Sequence, residues 1–123
     1  MNNQEIATHL VYFGRIFFSR SPFQQTQAES RNITAGDEAQ FMAHFGVTPY
    51  VCAYVWQALW KKMLVPRHGI KPYLLWALMF LKLYSTEIVL AGMAGTSPTT
   101  FKKWSITFID AISQLKPFVV SSF

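Results

Sequence analysis

A helix-stop signal is followed at once by a helix-start signal at Gly95-Thr96-Ser97-Pro98, between two apolar stretches. Glycine tolerates the positive φ that follows a helix end, serine caps the free amides of the next helix, and proline already has a helical φ at its first position. This signal predicts two helices joined by a turn of only a few residues. We place the two-helix unit at Thr86 to Trp104.

The apolar residues of this unit predict how its helices pack. The first helix is predicted to have an apolar face made by Ile88, Leu90, Ala91 and Ala94. A short turn forces the helices to cross steeply, which a small residue such as Ala91 permits where they approach closely. Phe101 and Trp104 on the second helix are predicted to fill the angle between them.

The second helix has a polar outer side opposite these aromatic residues. Lys102 and Lys103 point away from the predicted core, and Thr99 and Ile106 share the same outer ridge. A helix with an apolar inner side and a basic outer ridge is suited to enter a DNA major groove. The predicted DNA-binding residues are Ser97, Thr99, Thr100, Lys102, Lys103 and Ile106.

The sequence around this unit resembles a known family. The spacing of its small and apolar residues is similar to the helix-turn-helix pattern of many DNA-binding proteins. More narrowly, KPYLLWALMFLKLYSTEIVLAGMAGTSPTTFKKWSITFIDAISQL is similar to the N-terminal DNA-binding region of PIF/Harbinger-type DDE transposases of eukaryotic mobile elements. The likeness runs from about Phe41 to Leu115 and is strongest in residues 74–83 and 100–104.

The resemblance implies a transposase end-binding domain without its nuclease. In that family a nuclease domain with three acidic metal ligands follows the helical region, whereas this sequence ends at Phe123. The implied partners are duplex DNA and either a separate transposase or a second copy of the chain as a dimer, with no membrane. The implied localisation is nuclear, or otherwise intracellular.

Charge is distributed unevenly along the chain. Residues 1–60 carry three basic and four acidic side chains, whereas residues 61–123 carry eight basic and two acidic ones. The positive half therefore holds the two-helix unit, as expected of a nucleic-acid-binding surface. The alternative is that these lysines belong to ordinary solvated helix faces. Cys52 is the only cysteine, which excludes an intramolecular disulfide and suits a reducing compartment.

The N-terminal part is predicted to be a packing helix followed by a polar linker. Residues 5–20 place Ile6, Leu10, Phe13 and Phe17 on one helical face. An organelle presequence is the weaker alternative, because Glu5 and the dense aromatic residues argue against it. Residues 21–35 have no apolar period. We therefore divide the chain into a helix with linker (1–35), a helical helix-turn-helix domain (36–116) and a tail (117–123).

The stop-and-start signal occurs a second time at Phe45-Gly46-Val47-Thr48-Pro49. The helix after Pro49 is predicted to present Tyr50, Val51, Ala53 and Tyr54. The helix after Pro98 presents Thr99, Lys102 and Lys103 at the corresponding positions. Because the helix after Pro49 lacks a basic ridge, we interpret it as a packing element. The alternative is that Lys61 and Lys62 at its far end contact phosphates.

The most apolar segment, Tyr73 to Leu83, is predicted to be the central helix of the core. A membrane span over residues 73–94 is the alternative, but Lys82, Ser85 and Glu87 interrupt it. The last helix is predicted to run from Pro98 through Leu115, until Pro117. The overall prediction is an all-α domain of five or six helices whose core contains Trp76, Phe80, Leu90, Phe101 and Trp104.

Candidate catalytic groups are few. Six carboxylates and three separate histidines show no spacing typical of a metal site, and no glycine-rich phosphate loop is present. We expect no enzymatic activity, no cofactor and no metal. Two functions remain: a DNA-binding module that uses the helix after Pro98, or a helical protein-interaction module derived from a transposase. A basic surface around Lys102 and Lys103 would favour DNA, and an apolar patch across that surface would favour a protein.

Overall fold

The computed structural model describes residues 2–18, 32–83 and 87–115, and these residues contain α-helices and no strand. The helices are α1 (Asn3–Phe18), α2 (Ala35–Phe45), α3 (Pro49–Lys61), α4 (Lys71–Leu83), α5 (Glu87–Ala94) and α6 (Pro98–Gln114). The predicted all-α class with five or six helices is confirmed. Most of the predicted linker, the predicted tail and Pro117 lie outside the described residues.

The first helix is part of the core. Ile6 and Leu10 are buried, and Phe13 and Phe17 are partly buried against the same core. The helix packs on α2, α3, α4 and α5. At Gly14 it approaches α2 so closely that a Cβ would lie 3.1 Å from side-chain atoms of both Phe41 and Phe45. The predicted packing role of this helix is confirmed.

Both stop-and-start signals form the predicted backbone. Gly46 and Gly95 have φ angles of +79° and +73°. The Thr48 side chain accepts a hydrogen bond from the Val51 N–H at the start of α3. Ser97 accepts from the Thr100 N–H at the start of α6. In each case the proline is the first helical residue, so residues 95–97 alone join α5 to α6.

Helix α4 lies at the centre of the fold. It contacts α1, α2, α5 and α6, and Trp76 is among its five buried residues. Leu90 and Phe101 are fully buried in the same core, while Phe80 and Trp104 are partly buried and pack against it. The apolar run predicted over residues 73–94 divides between α4 and α5, and no helix in the described ranges is long and apolar enough to cross a membrane.

The sequence prediction misplaces one residue of the two-helix unit. The apolar spacing predicts Ile88 on the inner face of α5, yet it is 73% exposed, while Leu90 and Ala91 are buried. At about 100° per residue, Ile88 lies roughly 110° from the centre of the face formed by residues 90, 91 and 94. The buried face of α5 therefore begins at Leu90.

A buried ion pair joins α1 to α2. Arg15 Nη2 lies 2.5 Å from Asp37 Oδ2, and Arg15 Nε donates to Asp37 Oδ1 at 3.2 Å. Asp37 Oδ2 also accepts from the Thr34 N–H, and Thr34 Oγ1 accepts from the Asp37 N–H, so the two residues form a capping box. Burial alone would raise the pKa of Asp37, but the hydrogen bonds from Arg15 and Thr34 and the charge of Arg15 outweigh it and lower the pKa.

Candidate nucleic-acid interface

The orientation of α6 is set by its buried side chains. Phe101 and Phe108 are fully buried, and Ser105 between them is also buried. The Phe101 ring stacks on Trp76 with centroids 5.7 Å apart, and the Phe108 ring stacks on Trp56 at 6.3 Å. Because these residues recur every three or four positions, they hold one stripe of α6 against α3 and α4. The opposite stripe faces solvent.

The predicted basic ridge occupies this outer stripe. Thr99, Lys102 and Lys103 are exposed, and Ile106 is 50% exposed. Together with Pro98, these four side chains line one open depression along the first nine residues of α6. The structure therefore brings together four of the six residues predicted to contact DNA. We call Thr99, Lys102, Lys103 and Ile106 the α6 ridge.

The other two predicted residues serve the helix start. Ser97 Oγ accepts the Thr100 N–H at 3.2 Å and donates to Thr100 Oγ1 at 3.0 Å. Thr100 is half-buried, whereas Ser97 is exposed. The two hydroxyl groups hydrogen-bond to each other next to the ridge, so Ser97 and Thr100 hold the first turn of α6 in place.

An aromatic pair supports Lys103. Its Nζ lies over the Trp104 ring, 5.2 Å from the centroid. Trp104 in turn stacks on Tyr73 of α4, with centroids 4.5 Å apart and planes inclined by 18°. The contact fixes the ring on which the lysine rests. Sequence reasoning does not predict this pair, because Tyr73 and Trp104 lie on different helices.

The ridge carries two lysines and no carboxylate. On α6 the single carboxylate is Asp110, which accepts a hydrogen bond from Gln114 Nε2 at 3.1 Å. Lys102 and Lys103 lie on the first two turns, close to the positive end of the helix dipole. Both effects give the ridge a positive potential that favours an anionic partner.

The equivalent positions on α3 have a different character. Tyr50, Val51 and Tyr54 are each 40–44% exposed, so this helix presents aromatic and aliphatic groups. Ala53, predicted to be presented with them, is instead fully buried, because α3 packs against α1 along this side. The two helices that follow a stop-and-start signal thus share a backbone but not a surface chemistry.

Two features of the structure bear on whether the described residues could support catalysis. Among the described residues, no three His, Cys, Asp or Glu side chains come together as a metal site requires. Cys52 is fully buried, and burial raises the pKa of its thiol, which disfavours the reactive thiolate.

The sequence matches no protein-family model, no curated protein and no solved structure.

Proposed function

We propose that this chain is a DNA-binding module that reads duplex DNA with α6. The supporting observation is the exposure of Lys102 and Lys103 on the first two turns, directly beside the buried Phe101. The resemblance to transposase end-binding regions supports the same function. The module would act as a repressor or as an accessory protein to a separate transposase.

The side chains of the α6 ridge suit the edges of base pairs and the phosphates beside them. Lysine can donate to guanine O6 and N7 or neutralise a phosphate, and the Thr99 hydroxyl can donate or accept. Ile106 is an apolar side chain at the same surface and can contact a thymine methyl group. Ser97 and Thr100 hold the first turn that presents them.

The alternative function is protein interaction without DNA binding. It would be favoured by an apolar patch across the α6 ridge, yet that surface carries two exposed lysines and one apolar side chain. Exposed apolar side chains do occur elsewhere, among them Ile88 and Val89 on α5 and Trp60 and Met63 at the end of α3. The charge of the ridge favours DNA as its partner.

The test is binding of the purified chain to duplex DNA, measured by fluorescence anisotropy from about 50 to 200 mM salt. We expect affinity that falls steeply with salt, and a clear loss in the Lys102→Ala/Lys103→Ala double variant. Lys82→Ala, which removes an exposed lysine from α4, is the control. Absence of binding at low salt, or wild-type affinity in the double variant, would refute the proposal.

A random-site selection on the wild-type chain then identifies the sequence it prefers. An enriched site is expected if the α6 ridge reads base edges, since phosphate contacts alone carry no direct sequence information.

A further inference from the structure

The end of α3 has a backbone conformation that suits glycine but carries methionine. The Leu64 N–H donates to the Leu59 carbonyl at 2.8 Å and the Met63 N–H donates to the Trp60 carbonyl at 3.1 Å, which is a Schellman cap. Met63 occupies its left-handed position with a φ of +57°. The left-handed positions after α2 and α5 are both glycine, namely Gly46 and Gly95. The Cβ of a methionine makes this backbone conformation unfavourable. The presence of methionine instead of glycine therefore suggests that its side chain has a role of its own.

Met63 is also the most exposed large apolar side chain of the described residues. It is 90% exposed, and Trp60 beside it is 67% exposed. These two residues and Val65 line one depression of about 400 Å³. On its other side Trp60 helps to line a second depression of about 300 Å³, with Ile6, Trp56, Gln57 and Lys71. We call the residues lining the two depressions the Trp60 surface.

Basic residues are concentrated in the part of the chain that forms the Trp60 surface, and Lys71 lines its second depression. The sequence has no Asp or Glu between residues 39 and 86, but it has Lys61, Lys62, Arg67 and Lys71 close to Trp60 along the chain. The carboxylate next to Ile6 on α1 is that of Glu5, which accepts a hydrogen bond from Asn2 Nδ2. Lys61 and Arg67 are exposed, and the Lys71 Nζ lies over the Trp56 ring at 5.7 Å. Apolar depressions beside these cations suit an occupant that combines negative charge with apolar groups.

We propose that the Trp60 surface docks an acidic segment of a partner protein. Large apolar side chains of that segment fill the depressions on either side of Trp60, and its carboxylates face Lys61 and Arg67. Trp, Met and Arg are the residue types enriched at protein interfaces, and anchors that fill pockets carry most of the binding energy.

The shape and lining of the surface favour a peptide over other anionic partners. Trp60 presents an exposed ring, but Ile6 and Val65, which line the depressions with it, are aliphatic and offer packing to apolar side chains rather than a further ring for a second base. Trp56, which is only 9% exposed, lies recessed in the second depression. A flat bilayer cannot reach it, whereas an inserted side chain can.

The test begins with Met63→Gly, which removes the side chain at a position where glycine is preferred. We expect this variant to unfold at the same temperature as the wild type or at a higher one, so any loss of binding is not a loss of fold. A random twelve-residue peptide library displayed on phage is the probe, with Trp60→Ala/Met63→Gly protein for counter-selection. Enrichment of peptides that combine acidic residues with large apolar residues supports the proposal.

Affinities of the enriched peptides provide the decisive comparison. Each should bind Met63→Gly and Lys61→Gln/Arg67→Gln at least about tenfold more weakly than wild type, a loss typical of an interface anchor. Met42→Ala, which truncates a 43% exposed methionine on α2, should bind as wild type does. Equal binding by wild type and Met63→Gly, or no acidic and apolar consensus, overturns the proposal.

Two further measurements separate this surface from the α6 ridge. The Lys102→Ala/Lys103→Ala variant should retain peptide binding, and Met63→Gly should retain wild-type affinity for duplex DNA. If Met63→Gly instead loses binding to duplex DNA or to vesicles of anionic phospholipid, the docking proposal is wrong and the surface belongs to that partner.

Discussion

At the level of single residues, Asp37 links two parts of the fold, the start of α2 and the helix α1. Its carboxylate caps the start of α2 through Thr34 and also pairs with Arg15 of α1, which is 1% exposed. An arginine buried this deeply depends on its partner, because an uncompensated guanidinium would lack the solvation that it has in water. One carboxylate therefore fixes both where α2 begins and how α1 packs on it.

We predict that Asp37→Asn destabilises the fold by about 3 to 5 kcal/mol, because the substitution leaves a buried positive charge without its partner. Urea unfolding of wild type and variant measures this difference. Glu38→Gln, which removes a carboxylate from the neighbouring position in the first turn, is the matched control and should destabilise the fold by no more than about 1 kcal/mol. Similar stability in Asp37→Asn and wild type would show that the pair does not contribute.

The same carboxylate predicts a dependence on pH. The pKa of Asp37 lies below its ordinary value of 3.8, so the folded state binds its proton more weakly than the unfolded state does. Its contribution is present above about pH 3.8 and is lost as the pH falls through the lower, folded pKa. The difference in unfolding free energy between wild type and Asp37→Asn should therefore shrink between about pH 7 and about pH 2. A constant difference over this range would contradict the prediction.

The ion pair also shows where reasoning from the sequence stops. From its neighbours in the sequence, Arg15 is predicted to be an ordinary charged residue of a helix. No nearby residue indicates that it pairs with Asp37, which lies 22 positions later. The capping box is a readable local signal, because Thr34 precedes Asp37 by three residues, but it lies at the edge of the segment interpreted as linker. Long-range pairing requires the packing of α1 on α2, which no single segment encodes.

At the level of helices, the turn signals are predicted correctly because each acts through its own backbone. Gly46 and Gly95 supply positive φ, and Thr48 and Ser97 supply caps, whatever the helices pack against. The face of α5 is predicted less well. This helix has eight residues, about two turns, so its apolar spacing leaves several faces open and tertiary packing decides among them.

Two glycines of the α5 region give a matched prediction. A Cβ added at either one would have no neighbouring atom within 4 Å, but Gly92 is helical whereas Gly95 has a φ of +73°. Gly92→Ala should stabilise the fold by about 0.5 to 1 kcal/mol, and Gly95→Ala should destabilise it by about 1 to 2 kcal/mol. Thermal unfolding of both variants measures the contrast. Equal effects would mean that the turn does not depend on left-handed geometry.

At the level of the whole molecule, the two surfaces differ in how far the sequence predicts them. The α6 ridge follows from one helix, because the helical period turns Lys102 and Lys103 away from the face that buries Phe101. The Trp60 surface combines side chains of α1, α3, α4 and the α3–α4 loop. The sequence allows its residues to be interpreted only singly, since the folded chain alone brings them together.

The function of the α6 ridge leads to a prediction about Lys103, which rests on the Trp104 ring at the second turn of the helix. If its ammonium group reads a base, Lys103→Ala should weaken binding to the selected DNA site by about 1 to 3 kcal/mol and relax the preference at one base pair.

If Lys103 contacts only phosphate, the outcome differs in kind. All DNA sequences should then lose affinity alike, and the slope of log affinity against log salt should shrink by about one unit. Anisotropy titrations on the selected site and on single-base-pair variants, each repeated across a salt series, distinguish the two cases. Lys61→Ala, which removes an exposed lysine from the end of α3, should leave both the preference and the salt slope unchanged. Lys103→Ala could instead change neither the base-pair preference nor the salt slope while the Lys102→Ala/Lys103→Ala variant still loses affinity. That result would mean that Lys102 alone contacts DNA, and that α6 meets the DNA with the side of the ridge that carries Lys102.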